Sequence, residues 1–66
     1  MNSSAQQTSQ FEFMSPKQLE EELGIQMGYQ AHLRLRKKLP FYRITGAGIR
    51  YKRSEIIKWI EKQKVV

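Results

Sequence analysis

The chain has no cysteine and no aspartate, and it has one histidine and one tryptophan among its 66 residues. Without cysteine, neither a disulfide nor a thiolate zinc site can reinforce the core, and a reducing compartment is permitted. One histidine and no aspartate rule out the usual catalytic triads and histidine-rich metal sites. Glutamate supplies all six acidic side chains, and the run Glu20 to Glu22 reads as a solvated helix face. The expectation is a non-enzyme that needs no cofactor. No apolar run approaches the roughly 18 residues of a membrane span. The opening MNSSAQQTSQ lacks the basic and apolar regions of a signal peptide. These absences predict a soluble cytoplasmic protein with no membrane partner.

What the chain does have is positive charge in one place. Its net charge is +6, and its pI is near 10.0. Between Glu22 and Glu55 there is no acidic residue, while Leu33 to Arg53 carries eight Lys or Arg side chains. Aromatic and branched apolar residues are threaded between those charges. This balance suits nucleic acid, an anionic membrane surface or an acidic partner. At this length a single core is close to marginal, so nearly every apolar residue away from the ends is needed to build it.

Residues 1 to 10 are polar and rich in Gln and Ser, which predicts a disordered tail. Phe11 and Phe13 alternate with polar neighbours and read as a short extended piece padding the core. Ser15, Pro16 and Gln18 then form an N-cap, a first helical position and the third member of a capping box. Met14 and Leu19 occupy the staple positions, and Gly24 suits a left-handed C-terminal residue. A helix is predicted over Pro16 to Leu23.

Residues 25 to 39 carry two signals. Ile25, Met27, Tyr29, Ala31, Leu33 and Leu35 alternate with polar residues as in a strand. Most of the segment is nevertheless built from good helix formers, and Met27, Ala31 and Leu35 recur one helical turn apart. A helix over Met27 to Lys38, ended by Pro40, is the chosen reading. With Ala31 and Leu35 turned to the core, the outward face carries Gln26, Tyr29, Gln30, Leu33, Arg36 and Lys37, with His32 at its border. Gln and Arg can pair with adenine and guanine edges, and Leu or Tyr can meet a thymine methyl or a phosphate. Phe41 to Thr45 and Ile49 to Arg53 read as strands of a hairpin around Gly46, Ala47 and Gly48. Ile49 and Tyr51 fall on one face of that hairpin and Arg50 and Lys52 on the other. Ser54 caps a last helix whose core face carries Ile56, Trp59, Ile60 and Gln63.

Helix, turn, helix, two-stranded wing and C-terminal helix describe a small α+β winged helix-turn-helix over residues 11 to 66. The pieces MSPKQLEEELGI, LPFYRI and GIRYKRSEIIKWIE resemble the small excisionase and MerR-like winged-helix domains of bacteria, phages and integrative elements. The leucine-proline pair, and the arginine, tyrosine and tryptophan of the last piece, carry most of the likeness. Two places depart from it. Met27 and Gly28 stand where the family often has small hydroxyl residues, and Ala47 stands at a wing tip where a basic residue is common. The resemblance implies double-stranded DNA as partner, with the second helix in the major groove and the wing on the minor groove or backbone. Gln26, Tyr29, Gln30, His32, Leu33, Arg36 and Lys37 would be helix contacts, and Arg43, Arg50 and Lys52 hairpin contacts. It also implies DNA bending, cooperative self-association on DNA and an integrase or other recombinase as partner, or else transcriptional regulation. The competing reading from charge alone is a protein-interaction module gripping an acidic recombinase or replication partner. Single-strand binding ranks lower because Tyr42, Tyr51 and Trp59 read as core. A membrane surface ranks last because the charge spans a helix and a hairpin.

Overall fold

The computed structural model describes residues 12–66; the expected disordered tail and Phe11 lie outside them. The described chain forms three helices and a three-stranded antiparallel sheet, in the order β1 (Phe13–Met14), α1 (Pro16–Leu23), α2 (Met27–Leu35), β2 (Tyr42–Ile44), β3 (Gly48–Lys52) and α3 (Arg53–Glu61). The sheet order is β1-β3-β2. Phe13 lies opposite Lys52 and Met14 opposite Tyr51, while Tyr42 lies opposite Arg50 and Arg43 opposite Ile49.

Local chemistry sets the bounds of α1 as expected. The Gln18 backbone N–H donates to Ser15 Oγ at 3.1 Å, and the Ser15 N–H donates to Gln18 Oε1 at 2.9 Å. The helix closes at Gly24, whose φ of 75° is a conformation that costs a Cβ-bearing residue energy. The hairpin turns in the same way, with φ of 84° at Gly46 and 97° at Gly48.

The second helix departs from expectation at its end and in its facing. It stops at Leu35 rather than Lys38, and Pro40 is not what stops it. The Lys37 N–H donates to the Arg34 carbonyl and the Lys38 N–H to the Leu33 carbonyl, both at 2.9 Å. This is the paired closure of a Schellman motif, in which Lys37, at φ 58°, takes the left-handed position usually given to glycine. The expected facing is corrected as well. Gln30 is fully buried and Leu33 is buried, whereas Leu35 is 83% exposed and Ala31 is exposed. The Met27, Ala31, Leu35 row that looked like a core stripe points to solvent.

Gln30 turns inward because it finds partners there. Its Nε2 donates to the Pro16 carbonyl at 2.9 Å and to the Ile25 carbonyl at 2.8 Å, and its Oε1 accepts from the Tyr51 hydroxyl at 2.9 Å. Tyr51 also accepts from Arg34 Nη1. A buried carboxamide is tolerated when its donors and acceptor are engaged in this way. Burial pushes the Tyr51 hydroxyl above the ordinary tyrosine range, with Arg34 partly offsetting it, so the phenol keeps the proton it donates. Around this network pack Met14, Leu19, Leu33, Leu39, Tyr51 and Ile56, with Ile25, Phe41, Ile49 and Trp59 at the border.

Tyr42, Ile60 and Gln63, expected in the core, are exposed, and the expectations for Phe13 and Ser54 are revised too. Phe13 is not core padding: its neighbour Met14 fills the core, while Phe13 lies on the outer sheet face with its ring edge-on to Tyr42 at 5.4 Å. Ser54 does not cap the last helix, which begins at Arg53 after Lys52 with no side-chain cap. The Ser54 hydroxyl donates instead to Glu12 Oε2 at 2.7 Å, and the Arg53 N–H donates to the Glu12 carbonyl at 2.6 Å. Those bonds lock β1 to the start of α3.

Two measurements check these assignments. Gln30→Ala removes three hydrogen bonds, one of them buried and two part-buried, and is expected to lower the stability measured by urea unfolding by about 3 kcal/mol; an unchanged midpoint would show that the side chain is not a structural tie. The Ser54 hydrogen bonds hold the Glu12 carboxyl below the ordinary range, and the Arg53 guanidinium does the same to Glu22. Because both are depressed, their contribution is present above the ordinary Glu value of about 4.3 and is lost as pH falls through the lowered values. The Glu12→Gln/Glu22→Gln chain should therefore show a flatter acid limb of melting temperature against pH, and an equally steep limb is the contrary result.

Candidate nucleic-acid interface

The inward turn of Gln30 and Leu33 sets what α2 offers to solvent. At about 100° per residue the opposite side carries Gly28, Ala31, His32 and Leu35, flanked by Met27 and Tyr29, and all six are exposed. Tyr29 and His32 stack with ring centroids 6.0 Å apart and 22° between planes. Gln26 is exposed at the helix start and makes no side-chain capping bond. Arg36, Lys37 and Lys38 follow the helix directly, and all three are exposed. Of the expected helix contacts, Gln26, Tyr29, His32, Arg36 and Lys37 are thus accessible, while Gln30 and Leu33 are withdrawn into the core.

The hairpin cations divide between two faces. Residues directly opposite in an antiparallel pair share a face, so Arg50 and Lys52 lie on the outer side with Tyr42 and Phe13. Arg43 lies on the other side with Ile49. There its guanidinium stands 5.8 Å from the centroid of the Phe41 ring, and Arg34 stands at the same distance from that ring. Phe41 therefore ties Arg43 to the exit of α2 through cation–π contacts. Arg50 is half-buried, and its Nη1 donates to the Ile49 carbonyl at 2.7 Å. The structure thus joins Arg43 to the α2 end and puts Arg50 and Lys52 on a separate surface.

Nearby carboxylates are drawn into bonds of their own. Arg53 Nη1 donates to Glu22 Oε1 at 2.7 Å, the Tyr42 hydroxyl donates to Glu55 Oε2 at 2.9 Å, and Glu12 holds Ser54. Arg36, Lys37, Lys38, Arg43, Arg50 and Lys52 take part in no ion pair among the described residues. Lys52 does lie near enough to Glu12 for its charge to help lower that carboxyl. No group of three or more His, Cys, Asp or Glu side chains among the described residues is placed to hold a metal ion. No described helix is long and apolar enough to cross a membrane.

Ala31 and Leu35 were missed as surface residues because a one-turn apolar row ordinarily marks the buried side. The signal that could have found them is the small size of Ala31. An alanine on the face taken as core leaves little to bury, whereas Leu33 packs in the same cluster as Leu39. Lys38 was missed because helix was expected to continue through it. Comparison with family models, curated proteins and solved structures finds no match.

Gly28 lies in the first turn of α2, and open space surrounds the position a Cβ would take. A helical glycine costs roughly 0.5–1 kcal/mol relative to alanine, a loss often kept where another backbone approaches closely. Gly28→Ala should therefore raise the stability measured by urea unfolding by up to about that amount. A lowered midpoint would show that the glycine is needed for the helix start itself.

Proposed function

We propose that this chain binds double-stranded DNA as a winged helix-turn-helix of the excisionase-like kind, acting as an architectural or regulatory factor. The observation that carries the reading is a helix face with no packing role followed immediately by unpaired cations. Gly28, Ala31, His32 and Leu35 offer a slim surface, with small and apolar groups suited to thymine methyls and close backbone approach. Arg36 at its end is placed to read a guanine edge, while Lys37, Lys38 and Arg43 face phosphates. Arg50 and Lys52, on the outer face of the sheet, serve as backbone contacts on a neighbouring turn of the duplex. Gln30 and Leu33 are dropped from the contact set because they are buried, and their part is to set how α2 is rotated. Architectural action, self-association on DNA and a recombinase partner belong to the same proposal and rest on the family resemblance.

The ionic-strength dependence of duplex binding tests the reading. With about five phosphates contacted, log K should fall with log salt at a slope of about −4.5, and binding insensitive to salt would refute it. Arg36→Ala should cost about 1–3 kcal/mol on a preferred site and blur the preference there. Arg50→Ala should weaken all duplexes alike and lower the slope by about one. Identical behaviour of the two variants would contradict the assigned roles.

A further inference from the structure

A hollow of the described chain lies away from the outward face of α2. It lies between the segment leaving α2 and the side of α3, with a volume of about 620 Å³. Phe41, Pro40 and Trp59 contribute apolar lining, and Lys37, Lys38, Lys58 and Lys62 stand around it. A second hollow of about 610 Å³ shares Lys38 and Trp59 with the first and reaches Tyr29, Leu33 and Gln63. The two hollows meet the same residues, Lys38 and Trp59, and are taken together as the trough. Its four lysines take part in no ion pair among the described residues. Glu55 is the one carboxylate on the lining, and its Oε2 accepts the Tyr42 hydroxyl.

We propose that this trough docks an acidic peptide segment of a partner protein, one that carries an aliphatic or aromatic anchor between its carboxylates. The anchor seats against Trp59 and Pro40, where apolar surface is open to water, and its burial supplies the attraction. The flanking carboxylates meet Lys58 and Lys62 on one wall and Lys37 and Lys38 on the other, which sets orientation and speeds encounter. Apolar lining between lysines suits a peptide with an apolar anchor better than a compact anion. Nucleic acid fits it less well. Phe41 is already engaged by Arg34 and Arg43, which removes a stacking surface. Lys58 and Lys62 lie on α3, apart from the residues assigned to DNA, whereas Lys37 and Lys38 serve both surfaces, so peptide and duplex meet at that wall.

Trp59 is the one tryptophan of the chain, so intrinsic fluorescence reports on the trough directly. The probe is the synthetic peptide Asp-Asp-Leu-Phe-Asp-Asp, with Asp-Asp-Gly-Gly-Asp-Asp as its anchor-free counterpart. The first should shift the Trp59 emission saturably and bind about fivefold or more tighter than the second. Lys58→Glu/Lys62→Glu should weaken the first peptide by about tenfold, with the circular dichroism spectrum and duplex affinity retained. Lys17→Glu/Lys52→Glu makes the same change in net charge at residues outside the trough lining and should leave peptide affinity within about twofold. Four results would overturn the proposal: no change in Trp59 emission at millimolar peptide, equal binding of both peptides, equal effects of the two charge-reversed chains, or displacement of the peptide by a single-stranded oligonucleotide. Failure of duplex binding alone leaves these peptide measurements unaffected, so the two proposals fail separately.

Discussion

The carboxamide of Gln30 is the constraint on which the rest of this small structure depends. It reaches the first turn of α1 through the Pro16 carbonyl, the connection to α2 through Ile25, and the central strand through Tyr51. With six buried apolar side chains in the core cluster, there is little apolar surface to fix the helices against one another. A buried amide with every group engaged fixes direction as well as contact, because hydrogen bonds are angular where apolar burial is not. The Arg34 bond to Tyr51 extends the network to the exit of α2, and through Phe41 it extends to Arg43. One polar chain thus sets both the rotation of α2 and the place of the cations that follow it.

Two positions run against local stability, and both bound the same helix. Gly28 stands where alanine would serve the helix better, and Lys37 stands where glycine would serve the left-handed turn better. Such a residue at φ 58° costs roughly 1–2 kcal/mol relative to glycine. A chain with so small a core has little stability to concede. That it concedes at both ends of α2 fits a surface kept for recognition, where local rules are most often broken. Elsewhere the charges are arranged quietly: Glu12, Glu22 and Glu55 are engaged with Ser54, Arg53 and Tyr42. The uncommitted cations remain on α2's exit, the outer sheet face and the trough beside α3.

Much of the fold was legible in the sequence wherever a local signal had one meaning. Ser15, Pro16, Gln18 and Gly24 defined α1 to the residue, and the glycines around Ala47 placed the hairpin with Tyr51 inward and Arg50 and Lys52 outward. The facing of α2 was not legible. Met27, Ala31 and Leu35 form an apolar row, and no pattern rule turns such a row to solvent in favour of a glutamine. What decided the matter was a set of partners distant in sequence, Pro16 and Tyr51, which periodicity cannot register. The end of α2 was hidden for a similar reason, since the Schellman turn carries lysine rather than glycine. Of the candidate site, the basic window was plain, but its split between Arg43 and the Arg50–Lys52 face follows from strand pairing. The trough was invisible because its walls come from two segments that only the fold brings together.

The account turns on which side of α2 meets a ligand. The most direct measurement is an amide nuclear magnetic resonance titration of the chain with a short duplex. The account expects the largest shift changes at Gly28, Ala31, His32, Leu35 and Arg36, with the Gln30 side-chain amide unmoved. Changes centred on Gln30 and Leu33, or on Lys58, Trp59 and Lys62 with α2 silent, would contradict it.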